Sequence, residues 1–158
     1  MEIERKFLVG QRPPDSGFTS AALRQGYLLI GDDGEVRIRD AGGAHTLTVK
    51  SRGSLSREEY EIPLSREQFD ELWPATLGRR VEKTRHEFAL DGRAAALDIF
   101  EGGLDGLVTV EVEFPSVAAA REFVPPEWFG REVTEDASYK NASLAVHGRP
   151  GETPGARG

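Results

Sequence analysis

Residues 2–9 read EIERKFLV, and their order decides how the rest of the chain is to be understood. Successive side chains on a β-strand point to opposite faces, so residues two apart share a side. Glu2, Glu4 and Lys6 then fall together on one face, while Ile3 and Phe7 fall on the other, with Arg5 as the exception among them. What reads as a core strand carries two acids and a base in a row.

The same alternation recurs. In EVRIRD (35–40), Arg37 and Arg39 oppose Val36 and Ile38; in HTLTVKS (45–51), Lys50 joins Thr46 and Thr48 against Leu47 and Val49. In EEYEIPL (58–64), Glu59 and Glu61 oppose Tyr60 and Ile62, and in RVEKTRHEFAL (80–90), Lys83 and Arg85 share a side. AALDIFEG (95–102) sets Asp98 against Leu97 and Ile99, and LVTVEVEF (107–114) sets Glu111 and Glu113 against Val110, Val112 and Phe114. With LRQGYLLI (23–30) these make eight strand-like segments, punctuated by turns such as GDDGE and DAGGA. The pattern predicts an α+β fold built on an eight-stranded antiparallel β-barrel.

Helical signals are fewer. Ser65 and Gln68 form a capping-box pattern before Phe69, Leu72 and Trp73, with Pro74 ending the helix. Ser116 caps a second helix, VAAAREFV, stopped by Pro125 and Pro126. A third is expected over EDASYKNASLAVH (135–147), with Glu135 and Asp136 in its first turn, His147 in its last and Gly148 beyond. Residues 1–148 read as one domain and 149–158 as a flexible tail without large apolar residues.

Composition limits the function classes. The chain has 158 residues, 38% hydrophobic and 30% charged, with a formal net charge of -7. That charge argues against a nucleic-acid or membrane-surface binder, each of which needs a basic face. The absence of cysteine excludes disulfides and thiolate metal sites and favours a reducing, cytoplasmic setting. No apolar run approaches the roughly 20 residues of a membrane span.

Signs segregate by strand, with acids toward the two ends of the chain and bases in the middle. Like charges stacked on one face repel by up to about 4 kcal/mol per pair at roughly 4 Å, so something bound must offset them. Three amphipathic helices partner the apolar faces, which turns the charged faces into the bore. Such a bore must be wet or filled by ligand. Lys6, Arg37, Arg39, Lys50, Lys83 and Arg85 suit a linear polyanion. Glu2, Glu4, Asp98, Glu111 and Glu113 suit a hard divalent cation, Mg2+ or Mn2+. Together they describe a metal–polyphosphate site.

The opening strand resembles the E-x-E-x-K signature of the CYTH superfamily, the triphosphate tunnel metalloenzymes. The likeness continues through RQGYL, VRIR, LTVKS, SREEYEI, RRVEKTRH, LDIFEG, VEVEF and EVTEDASYKNASLA, nearly to the tail. The whole is similar to the short bacterial members that hydrolyse inorganic tripolyphosphate. The resemblance implies an eight-stranded tunnel with charged walls and a C-terminal helix closing one end. It implies metal binding by Glu2 and Glu4, completed by Asp98, Glu111 and Glu113. Lys6, Arg37, Arg39, Lys50, Lys83 and Arg85 would then grip the phosphates, and Glu59 and Glu61 would serve a second metal or the attacking water. Arg52 has inward parity but stands at the edge of a turn at Gly53, and Arg57 raises the same question. Lys140, on the closing helix, is a further candidate to reach the substrate. Tyr27 reads as a buried structural tyrosine, and His45, His86 and His147 lack ligand spacing.

The expected reaction is metal-dependent hydrolysis of tripolyphosphate to pyrophosphate and phosphate, with slower attack on nucleoside triphosphates. Thiamine triphosphatase and class IV adenylyl cyclase activity are the alternatives within the family, and a non-catalytic polyphosphate or nucleotide binder is the alternative outside catalysis. Whether the protein forms a homodimer is left open by the sequence.

Overall fold

The computed structural model describes residues 2–10, 18–52 and 55–151. Among these, nine strands form: β1 (Glu2–Leu8), β2 (Thr19–Gly31), β3 (Gly34–Ala41), β4 (Ala44–Ser51), β5 (Ser56–Arg57), β6 (Glu59–Leu64), β7 (Arg80–Leu90), β8 (Arg93–Phe100) and β9 (Val108–Glu113). They make one sheet in the order β5-β1-β9-β8-β7-β2-β3-β4-β6, each pairing antiparallel. The two strands at the ends of that order are consecutive in the chain, separated by Glu58. Arg57 pairs with Glu2 on β1, and Glu59 pairs with Lys50 on β4, so this segment curls the sheet into a nearly closed barrel. The eight expected strands thus become nine because one segment changes partner at Glu58.

Register confirms the parity argument. Residues directly opposite on neighbouring strands share a face. Lys6 stands opposite Glu111, Asp98 opposite Arg85, Arg39 opposite Gln25 and Thr46, and Lys50 opposite Glu35 and Glu59. All of these point inward. On the outside, Phe7, Leu97, Val110 and Val112 pack against Phe114, Ala120, Phe123 and Phe129. This cluster lies under helix α2 (Val117–Glu122), whose N-cap Ser116 accepts from the Ala119 amide. Arg5, the exception in β1, extends over it: its guanidinium binds Glu132 at 2.7 Å and the Ala120 carbonyl at 2.8 Å, 5.2 Å from the Phe7 ring.

Helix α1 (Arg66–Leu72) carries the expected capping box, and its fully buried Phe69 stacks on Trp73. The chain continues through Pro74 as one 3-10 turn, Trp73–Thr76. The third helix differs from expectation. Asp136 accepts from both the amide and the hydroxyl of Ser138, favouring a separate 3-10 turn, Ala137–Tyr139. Lys140 is extended, and α3 (Asn141–His147) starts only after it, so Glu135 and Asp136 lie outside its first turn.

Helix α3 covers one end of the barrel. Leu144 packs with Val81, Phe100, Leu104 and Leu107, and Leu8 and Tyr139 join them. Val81, Phe100 and Leu8 are inner-face residues, so this end of the bore is filled with hydrocarbon. Beyond α3, Arg149 donates to the Asp105 carbonyl at 3.3 Å, which ties down the first residue of the expected tail. Residues 152–158 of that tail and the turn glycine Gly53 lie outside the described residues. Among the described residues, no helix is long and apolar enough to cross a membrane.

Candidate active site

Midway along the bore, the side chains of the inner face stop filling it and leave a cavity of about 310 Å³. One wall, from β6 through β1 to β9, contributes Glu59, Glu61, Glu2, Glu4, Glu111 and Glu113. The facing wall, β7 and β3–β4, contributes Arg85, Arg37, Arg39 and Lys50. Lys6 stands within the acidic wall, and Lys140 reaches in from the linker before α3. The segregation of sign along the sequence has become segregation across a cavity.

The acids repel one another. Burial, the neighbouring charge of Glu111, a hydrogen bond with Glu111 and the charge of Glu2 push the Glu4 carboxyl well above the ordinary range. Burial also raises Glu111, but Lys6 and Arg85 outweigh it and hold that carboxyl well below its usual value. The two carboxyls are thus pushed apart in opposite directions, Glu4 upward and Glu111 downward. Burial and the charges of Glu2 and Glu111 raise Glu113 as well. Hard oxygen donors brought this close, whose crowding disfavours the charge on Glu4 and Glu113, fit a divalent cation that would neutralise them. Among the described residues no three of them already converge on one point. The donor set suits such an ion without being drawn up around it.

The bases are equally crowded. Burial, then Arg37 and Arg85, lower the Arg39 guanidinium to about 9. Its Nε and Nη2 donate to the side-chain oxygen of Gln25 at 3.2 Å, and Gln25 in turn donates to the Tyr27 hydroxyl at 3.0 Å. Tyr27 is thus a buried support, as expected. Arg37 is buried with its Nε unpartnered, a donor that a phosphate oxygen would satisfy. Lys50 bridges Glu2 at 3.0 Å and Glu59 at 3.2 Å, and Lys6 donates to the Tyr139 carbonyl at 2.6 Å.

Three expected site residues stand elsewhere. Asp98 does not line the cavity: across the sheet, Arg85 donates to both its oxygens at 2.8 and 2.9 Å and Lys83 binds it at 2.8 Å, so both oxygens are engaged. Lys83 is fully buried below the cavity, against Asp98 and within 3.5 Å of Asn141, instead of on its wall. Arg52 lies just past the end of β4 and is exposed, where it lines a second cavity of about 710 Å³. That cavity also holds Leu28, Leu29, Ile30 and Val146, and meets the first at Arg57 and Lys140.

Arg57 is the lining residue the sequence left undecided. It contacts Glu2 at 3.4 Å and Glu4 at 3.5 Å. Its signal was the period-2 run Arg57, Glu59, Glu61, hidden by the change of partner at Glu58. Glu87, on the parity of Lys83 and Arg85, was legible in the same way, whereas Thr134 and Asn141 come from irregular chain and a helix start. None of the three histidines lines the first cavity: His45 lies beside Asp40 at 3.6 Å, His86 bonds Ser20, and His147 borders the second cavity.

An antiparallel barrel with opposed charged walls inside defines a tunnel protein for a charged ligand. The chain belongs to the CYTH domain family, whose pattern it matches over residues 1–146. It is 54% identical over 147 residues, covering 92% of this chain and 97% of the relative, to an inorganic triphosphatase of Nitrosomonas europaea. An inorganic triphosphatase of Acetivibrio thermocellus is 37% identical over 145 residues, covering 90% and 92%. The crystal structure of the inorganic triphosphatase NE1496 superposes with a TM-score of 0.71 at 51% identity, covering 92% of this chain and 95% of that one.

Proposed function

We propose that this protein hydrolyses inorganic tripolyphosphate to pyrophosphate and phosphate, with a divalent cation, Mg2+ or Mn2+, as cofactor. The observation that carries this reading is the pair of facing walls, one of carboxylates and one of guanidinium and ammonium groups, around a cavity of about 310 Å³. The kinship with inorganic triphosphatases supports it.

Phosphoryl transfer depends mainly on positioning and on neutralising charge. Arg37, Arg39, Lys50 and Arg85 bind the phosphate oxygens and draw negative charge toward the leaving pyrophosphate. Lys6 reaches the chain from the acidic wall once it leaves the Tyr139 carbonyl. Glu2, Glu4, Glu111 and Glu113 would hold the cation, which supplies Lewis acidity to the phosphoryl oxygens and to the attacking water. Glu59 and Glu61 orient that water for in-line attack on the terminal phosphorus. Phosphate release from tripolyphosphate, measured with and without Mg2+ or Mn2+, tests the reading; no metal-dependent release would refute it.

The second cavity supports weaker action on organic triphosphates. It is largely apolar along Leu28, Leu29, Ile30 and Val146 and meets the first at Arg57 and Lys140. A panel of tripolyphosphate, thiamine triphosphate and ATP, scored for phosphate and cyclic AMP, ranks these activities.

A further inference from the structure

The mechanism leaves Arg57 without a task, although it lines both cavities and touches two of the carboxylates that would hold the cation. It stands on the two-residue strand β5, directly opposite Glu2 on β1, and its side chain is 14% exposed. Its Nε lies 3.4 Å from Glu2 Oε1 and its Nη2 lies 3.5 Å from Glu4 Oε1. Burial lowers the guanidinium, but the charges of Glu4, Glu2, Glu35 and Glu111 outweigh it and raise Arg57 above its ordinary value. The positive charge is kept, and it sits on oxygens that a divalent cation would need.

How firmly it is held decides what it can do. Arg5, on the same strand as Glu2 and Glu4, grips both oxygens of Glu132 at 2.7 and 2.8 Å, the two-pronged fork of a strong arginine–carboxylate pair. Arg57 instead gives one long contact to each of two carboxylates, and Glu2 Oε1 is also taken by Lys50 at 3.0 Å. Such an arginine neutralises its partners without locking onto either. It also has somewhere to go: the second cavity, about 710 Å³, opens beside it and carries Glu35, whose charge already acts on it. A divalent cation and a guanidinium on the same two carboxylates exclude each other, by room and by repulsion of like charge.

We infer that Arg57 is a built-in competitor of the divalent cation for Glu2 and Glu4, and that it yields by swinging toward Glu35 in the second cavity. This rests on the tripolyphosphatase reading and adds a regulation of that same site: the free protein holds its cation less tightly than its carboxylates alone would allow.

Mn2+ binding to the free protein, followed by electron paramagnetic resonance with no phosphate present, tests it. Arg57→Gln is expected to bind Mn2+ about 10-fold more tightly than wild type, the size of a typical coupling between two binding events. Removing any nearby positive charge helps a cation through the general field, so Arg39→Gln, on the facing wall, is the control and should tighten binding less than about 3-fold. Glu35→Gln removes the acceptor that receives Arg57; it should weaken Mn2+ binding about 3-fold in wild type and leave Arg57→Gln unaffected. Unchanged or weaker binding in Arg57→Gln, an equal gain in Arg39→Gln, or the same Glu35→Gln effect in both backgrounds overturns the proposal. If Arg57→Gln does not fold, Arg57→Lys decides in its place. A compact amine cannot span both carboxylates as the planar guanidinium does, so Mn2+ affinity should rise about 3-fold, and no rise overturns the proposal. No Mn2+ binding in any of these proteins refutes the metal reading and the proposal with it, whereas binding that is indifferent to Arg57 refutes the competition alone.

Discussion

The closed end of the barrel and its open middle are built on the same strands with the same parity, yet they do opposite things. Along the inner face of β7 the side chains run Val81, Lys83, Arg85 and Glu87. Across from the last three, on β8, stand Phe100, Asp98 and Ala96. Val81 and Phe100 pack under α3, Lys83 and Asp98 form a sealed ion pair, and Arg85 and Glu87 line the cavity. Large apolar side chains at one end and alanines toward the other set where the bore is solid and where it is hollow. Within the bore, apolar burial is thus concentrated under α3, and the cavity keeps its charges where a ligand can neutralise them.

Substitutions at the two levels should separate cleanly. The largest effect is expected from Glu4→Gln, which removes a cation-holding carboxylate and should cut metal-dependent phosphate release by about 10³-fold or more. Near-normal release would remove Glu4 from that role. At the closed end, Leu144→Ala should cost about 2–5 kcal/mol in thermal or denaturant unfolding. Its KM for tripolyphosphate should stay unchanged at a temperature where it is folded, and a shift in both would merge the two levels into one. Arg39→Ala should weaken tripolyphosphate binding about 10- to 100-fold, read as KM; an unaltered value takes Arg39 out of the clamp.

The smallest effect is a matter of pH. Burial and the charges around it raise Glu4 in the folded state, so folding binds its proton more tightly than unfolding does. The stability from that proton is present at acid pH and is lost as pH climbs through the raised value. With metals chelated, Glu4→Gln escapes this loss and should melt higher than wild type at pH 8, by about 2–4 °C for each kcal/mol. Equal melting temperatures at pH 8 would show that the acidic wall carries no such strain.

Much of this was legible because a strand has a period of exactly two residues. The alternation placed Glu2, Glu4, Lys6, Arg37, Arg39, Lys50, Glu59, Glu61, Arg85, Glu111 and Glu113 inside, and all of them line the cavity. Parity says which side a residue faces and is silent on depth. It could not tell that Asp98 and Lys83 would satisfy each other, since that pairing arises from the register of β7 on β8. Arg52 shared the parity of Lys50 but lies beyond the strand that gave parity its meaning. The third helix was misjudged in its first turn because Asp136 bonds forward to Ser138, a local competition that periodicity does not register.

The hand-over at Glu58 also bears on how the molecule is made. Strand β1 is synthesised first, yet it ends up between β5, from mid-chain, and β9, the last strand of the barrel. A nascent chain therefore carries β1 with the edge that will meet β9 bare until residues 108–113 leave the ribosome. Such distant pairing folds slowly and exposes strand edges to other chains in the meantime. The alternating charges of Glu2, Glu4 and Lys6 would make that waiting strand a poor template for aggregation.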